Sequence, residues 1–258
     1  MEICQGRFSI LFNFNPQLLF MANLVFDIET CCLPLENFDD VQHEYLFRDA
    51  EKLPEVERAN RRTEIQRQFN LWPFTAQVVC IAMLNADTAR GQVLFIAEDF
   101  EPEPAGPQPV QFIPCADEAG LLTAFWDVAR HYDSIVTFNG RGFDVPFIYL
   151  RSALLNVPIT RKNWLGYRYQ IEPHCDLAEQ LSFYGVSGRE GAARKFNLDF
   201  YCKAFGIPSP KSHGVTGMDV NNLLAEKRFR EIAEYCLRDV HATVSLYQIW
   251  KERLSGIK

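Results

Sequence analysis

The apolar positions of this chain fall into two patterns, short unbroken runs in its first half and helical stripes in its second. "NLVF" (23–26) opens a run that reaches Cys32 and is interrupted only by polar residues from Asp27 to Thr30. "QVVCIAML" (77–84) and "QVLFIA" (92–97) are separated by "NADTARG", rich in turn formers, and read as neighbouring strands. Two more short strands are predicted at "SIVTF" (134–138) and ending near "PHCD" (173–176). Asp117 can cap a helix whose apolar face is Leu121, Leu122, Phe125, Trp126, Ala129 and Tyr132. A second helix runs from about Val145, with Pro146 in its first turn, toward Asn156. "LAEQLSFYG" and "LDFYCKAFG" suit shorter helices, the latter stopped by Gly206 and Pro208. The last, roughly 227–253, carries a stripe through Ile232, Cys236, Val240, Thr243 and Leu246. Strands that first pair and then alternate with helices predict an α/β protein, one five-stranded mixed sheet flanked by helices.

Two regions break this order. Residues 36–70 are polar with mixed charge, and predict one or two solvated helices broken near Pro54, inserted after the first strand. "EPEPAGPQP" (101–109) is too rich in proline for regular structure and predicts an exposed loop. Residues 1–22 combine an acid at position 2 with Asn and Pro interruptions, unlike a secretory signal. They are expected to be a poorly ordered or loosely packed extension, with 23–258 forming a single domain.

Composition narrows the function. Hydrophobic residues make up 48% of the chain and charged ones 23%, ordinary for a soluble globular protein. A net charge of −7 excludes a protein that coats nucleic acid through a general basic surface, and leaves room for a local basic groove. No apolar run approaches the ~20 residues of a membrane helix. The eight cysteines are scattered without a C-x-x-C pair, which disfavours structural zinc and suits free thiols in a reducing cytoplasm.

The candidate chemistry starts at Asp27 and Glu29, which a strand places on one face of a segment that otherwise reads as core. Like charges so close need a positive partner. Asp144 follows the strand 134–138 after a loop containing Gly140 and Gly142, at the carboxyl end where α/β sheets form sites. Asp239 lies one helical turn after Tyr235, on the same face. Asp176 opens a helix, and an N-cap role is enough to explain it. Four carboxylates converging from strand ends and a helix call for about two divalent cations, and oxygen ligands favour Mg²⁺ or Mn²⁺. Such a pair, ~3.5–4 Å apart, supports phosphodiester hydrolysis. Tyr235, with an ordinary phenol pKa of ~10, suits orienting a water better than acting as a base. Each fragment alone has a bland reading: a chance D-x-E, a glycine turn with a helix cap, a buried tyrosine beside a solvated acid. Their order, each in a suitable element, is harder to reach by accident.

These motifs resemble the DEDD, or DnaQ-like, 3′–5′ exonucleases, and most closely the proofreading exonuclease domain of family B DNA polymerases. "FDIET" (26–30), "FNGRGFDVPFI" (138–148) and "YCLRD" (235–239) look like the three exonuclease motifs, and the third is of the tyrosine type. The resemblance implies a ribonuclease H-like sheet, three antiparallel strands followed by parallel ones. It implies metal ligands at Asp27, Glu29, Asp144 and Asp239, water positioning by Tyr235, and Asn139 near the terminal nucleotide, with Phe143 in the same motif as a further substrate contact. It covers the chain from about Asn23 to the last helix, which leads us to expect a stand-alone nuclease.

For the substrate, "RKNWLGYRY" (161–169) interleaves Arg161, Lys162 and Arg168 with Trp164, Tyr167 and Tyr169. Cations that track phosphates and rings that stack bases suit a single strand. A surface loop whose aromatics tuck into the core explains the same residues. Arg189, Arg194, Lys195 and Lys211 are weaker candidates, and His174 and His213 read as structural. Single-stranded DNA is the expected substrate; RNA, or a catalytically idle binding domain, are the alternatives.

Overall fold

The computed structural model describes residues 23–97, 109–186, 191–210, 217 and 219–257. The N-terminal segment, most of the proline-rich loop, and Arg189, Lys211 and His213 lie outside them. One sheet contains β1 (Asn23–Cys32), β2 (Ala76–Asn85), β3 (Gly91–Ile96), β4 (Val110–Cys115), β5 (Ser134–Thr137) and β6 (His174–Asp176). Its order is β4-β3-β2-β1-β5-β6. β1, β2 and β3 run antiparallel in sequence, while β5 pairs parallel with β1 and β6 parallel with β5.

The sheet has six strands where the sequence predicts five. The additional one is β4, "VQFIPC", which pairs parallel with β3. Gln111 and Pro114 make it read as a continuation of the proline-rich loop. Proline is tolerated there because β4 is at the sheet edge, where a missing N–H need not break a ladder.

The helices are α1 (Asp40–Glu51), α2 (Glu55–Arg67), α3 (Glu118–Ala129), α4 (Asp144–Leu154), α5 (Leu177–Leu181), α6 (Leu198–Ala204), α7 (Val220–Ala225) and α8 (Phe229–Arg253). α1 and α2 occupy the charge-rich insertion and meet on a small core of Phe47, Ala50, Ile65 and Phe69. Asp39 and Gln42 form a capping box at the start of α1, and Pro54 precedes α2. α8 lies across β1, β2, β3 and β5, and α3 across β2, β3 and β4.

Alternation along β1 decides where the acids go. Leu24, Phe26 and Ile28 pack with α3, α4 and Trp164 on one face of the sheet. Val25 belongs to the core on the other face, built with α8. A strand alternates faces, so Asp27 and Glu29 share the side of Val25 and look toward α8. Each fully buried Leu, Ile or Phe contributes about 1.5–3 kcal/mol, enough for the same strand to hold two charges in an unfavourable place.

At the far end of the sheet the buried His174 ties β5 to β6. The Trp164 carbonyl can only accept, so Nδ1 of His174 donates to it at 3.2 Å, and Nε2 accepts from the Thr137 hydroxyl at 2.7 Å. Burial lowers the His174 pKa to about 4, helped by Arg141 and opposed by Asp176. The fold therefore prefers neutral imidazole. Its contribution is fully present above the usual pKa near 6.5 and is lost as the pH falls toward 4. We expect an acid-induced loss of about 3 kcal/mol over that window. Thermal melts from pH 7 to 4 should show a flatter profile for His174→Gln; identical profiles would exclude this histidine.

Candidate active site

β1 presents Asp27 and Glu29 two residues apart, with Glu29 opposite Cys80 of β2. The facing turn of α8 carries Tyr235, Cys236 and Asp239. One oxygen each of Asp27 and Glu29 and the sulfur of Cys236 all lie within 4.8 Å of one another. The Cys236 thiol donates to the Asp27 carbonyl at 3.4 Å. Burial, together with the charges of Asp144 and Asp239, holds the carboxyls of Asp27 and Glu29 well above the usual range. Burial also raises the Cys236 thiol, so it stays protonated and the carboxylate oxygens remain the available donors.

The third side of the site is the loop between β5 and α4. Asn139 adopts a left-handed φ of 67°. A Cβ on Gly140 would come within 2.3 Å of Thr137 Oγ1, so the chain can turn only with glycine there. The buried Asp176 carboxylate accepts the backbone N–H groups of Asn139 and Arg141, both at 2.9 Å, and that of Ala178 at 3.0 Å. So seated, the loop delivers Asp144 as the first residue of α4, where Oδ1 accepts the Ile28 N–H of β1 at 3.2 Å. Burial raises Asp144 to about 7, with Asp176 and Asp239 adding to the effect and backbone N–H groups opposing it.

A cleft of about 410 Å³ opens beside these acids. Asp27 and Asp239 form one part of its lining, Phe138 and Asn139 another, and the segment from Lys195 to Asp199 a third. Lys195 Nζ donates to the Asn139 side-chain oxygen across it. The Tyr235 phenol is pushed far above its ordinary pKa by burial, by Glu29, Asp239 and Asp27, and by its hydrogen bond to Asp239. It keeps its proton. Buried acids of like charge, oxygen donors and an adjoining cleft are a donor set that fits a hard divalent cation.

A family model described as "Predicted 3'-5' exonuclease related to the exonuclease domain of PolB" matches residues 76–255. The chain belongs to this exonuclease family. The match starts at β2, so Asp27 and Glu29 on β1 precede it. Relatives of this exonuclease include DNA polymerase 1 of Saccharolobus solfataricus, 30% identical over 138 residues, 50% of this chain and 15% of the polymerase. DNA polymerase 1 of Sulfolobus acidocaldarius is 25% identical over 178 residues, 66% of this chain and 19% of the polymerase. The chain thus aligns with less than a fifth of either polymerase's length. Among solved structures, the family B DNA polymerase of Pyrobaculum calidifontis shares the fold, with a TM-score of 0.52 and 21% identity, over 89% of this chain and 24% of that one. Among the described residues no helix is long and apolar enough to cross a membrane.

Not every residue singled out in the exonuclease sequence reaches the site. Asp27, Asp239 and Asn139 line the cleft; Glu29, Asp144 and Tyr235 are buried beside it. Phe143 is half-buried and packs on Phe147, with the core across the sheet. Trp164 corrects the sequence reading: it is 0% exposed and stacked on Trp126, so no base can reach its ring. The Arg161 guanidinium is held by Asp133 at 3.0 Å and by the Arg130 carbonyl at 2.7 Å, a structural clamp. Lys162 is exposed. Cys236, read from the sequence only as part of the apolar stripe of the last helix, is a further neighbour of the acids, and its place directly after Tyr235 is the signal that could have found it. Lys195, ranked low as scattered charge, lines the cleft.

Proposed function

We propose that this domain is a divalent-metal-dependent 3′–5′ exonuclease that removes nucleotides from the 3′ end of single-stranded DNA by a two-metal mechanism. The observation that carries the reading is the set of acids beside an open cleft, half-buried Asp27 with buried Glu29 and Asp144, all three raised by burial and by the charge of Asp239. Those four residues would hold Mg²⁺ or Mn²⁺. Bound metal would supply the charge that activates water and stabilises the departing oxygen.

The chain's own groups account for the rest. Tyr235 keeps its phenolic proton and orients the attacking water instead of deprotonating it. Asn139 and Lys195 face the acids and would hold the terminal nucleotide through its sugar and phosphate. Exposed Lys162 adds positive charge on the route of the strand. The described cysteines are all free, in keeping with a reducing compartment such as the cytoplasm.

The test is incubation of the full chain with 3′- and 5′-labelled DNA and RNA oligonucleotides, with Mg²⁺, Mn²⁺ or chelator. Stepwise shortening of 5′-labelled single-stranded DNA, abolished by chelator, is expected. Shortening from the 5′ end, or preference for RNA, overturns the corresponding part. Tyr235→Phe should slow turnover by ~10²-fold, the lower range for a positioned proton-handling group. A rate equal to wild type removes it from the mechanism.

A further inference from the structure

We propose that Tyr167, Tyr169 and Tyr184 form a base-stacking platform for the single strand whose 3′ end enters the cleft, an inference that rests on the exonuclease reading above. Tyr167 and Tyr169 are 66% and 57% exposed. Their rings meet edge to face at 5.5 Å, and Tyr169 meets Tyr184 in the same manner at 4.9 Å. Edge-to-face packing leaves ring faces open to a stacking partner. Tyr184 comes from a different segment, beyond α5, and is fixed there by the Gln180 amide, which donates to its hydroxyl at 2.7 Å. Phe183 and Tyr184 both sit in the left-handed region, with φ of 45° and 57°, a conformation that such residues disfavour and that holds Phe183 out in solvent.

The platform is wired to the cleft. Arg168, between the first two tyrosines, donates from Nε to Glu179 at 2.7 Å, and the Arg141 guanidinium forms an ion pair with the other Glu179 oxygen, its Nε 3.1 Å away. Arg141 belongs to the loop that carries Asn139 on the cleft wall, and its guanidinium also donates to the Gly166 carbonyl at 3.3 Å. In the sheet, β1 and β6 are separated by β5 alone, about 10 Å at the usual strand spacing. A strand leaving the acids across the carboxyl ends of β5 and β6 therefore reaches the tyrosines within a few nucleotides. Half-exposed Arg168, between Tyr167 and Tyr169 in the chain, is the phosphate partner beside the rings. Rings and cations continuous with a nuclease cleft fit a polyanion carrying flat bases better than a protein surface, and the stacking tolerates any base.

The experiment measures binding of a fluorescent oligothymidylate of about ten nucleotides to the full chain in chelator, so that affinity is read apart from hydrolysis. Tyr167→Ala/Tyr169→Ala should weaken binding by about tenfold or more for each stack lost, while Tyr167→Phe/Tyr169→Phe restores it. Far-UV circular dichroism and melting confirm that both variants fold. In metal, KM of the wild type should fall as the substrate grows from a dinucleotide, and the alanine variant should lose that dependence on length. Equal affinity of wild type and alanine variant overturns the platform and leaves the patch to a protein partner. Binding in chelator without any product in metal would instead overturn the nuclease reading.

Discussion

Alanine at Asp27 or at Asp239 is expected to lower metal-supported nucleotide release by on the order of 10³-fold or more, because groups that act as one unit fail together when one is removed. The two residues come from different elements, one from β1 and one from α8, and both line the cleft. A second measurement separates loss of chemistry from loss of fold. In the metal-free protein half-buried Asp27 stands among Asp144, Asp239 and Glu29, and desolvation and their charges all raise its pKa. Replacing it relieves that repulsion, so Asp27→Asn should melt higher than wild type without metal, the usual exchange between function and stability. With Mn²⁺ the order should reverse. A ligand at ~100 times its Kd stabilises the wild type by about 2.7 kcal/mol, and the variant should gain far less. Activity retained in a clean Asp27→Ala protein, or an equal Mn²⁺ shift in both proteins, would refute this site.

Local periodicity made the centre of this molecule readable in advance. Asp27 and Glu29 obey the alternation of a strand, Tyr235 and Asp239 the turn of a helix, and Asp144 follows a glycine loop that admits one path. Each of these relations spans a few residues, so it is written in the sequence. What the sequence hid depends on pairing over long distances. β4 is a strand because β3 lies beside it, and its own residues resemble a loop. Trp164 looked like a stacking platform and is instead the filling between Trp126, Tyr149 and Phe26, because the face of β1 opposite the acids needed a large apolar cap. Lys195 was indistinguishable from other surface charge until the fold brought it to Asn139, 56 positions away. Tyr169 and Tyr184 likewise meet only because the chain returns beyond α5.

Asp176 shows the same limit in a single residue, and carries the largest expected change in stability. From the sequence it is an N-cap, and it does accept the Ala178 N–H. Its other oxygen and its other bonds serve Asn139 and Arg141, 37 and 35 residues earlier, so one buried carboxylate holds both the start of α5 and the loop that delivers Asp144. Removing it strands several N–H groups that lose a charged acceptor, each of which is worth about 1.5–3 kcal/mol when intact. Allowing for relaxation, Asp176→Ala should destabilise the protein by about 4 kcal/mol or more in urea unfolding. Asp176→Asn keeps the oxygen that faces Asn139 and Ala178 but turns an amide donor toward the Arg141 N–H, so about half of that loss is expected. Catalysis should fall with the loop: turnover of Asp176→Asn should be reduced and should recover as the temperature is lowered, whereas that of Asp27→Ala should stay lost at every temperature. An alanine variant as stable as wild type would mean that the loop is held by something other than this carboxylate, and that Asp144 reaches the Ile28 N–H without its help.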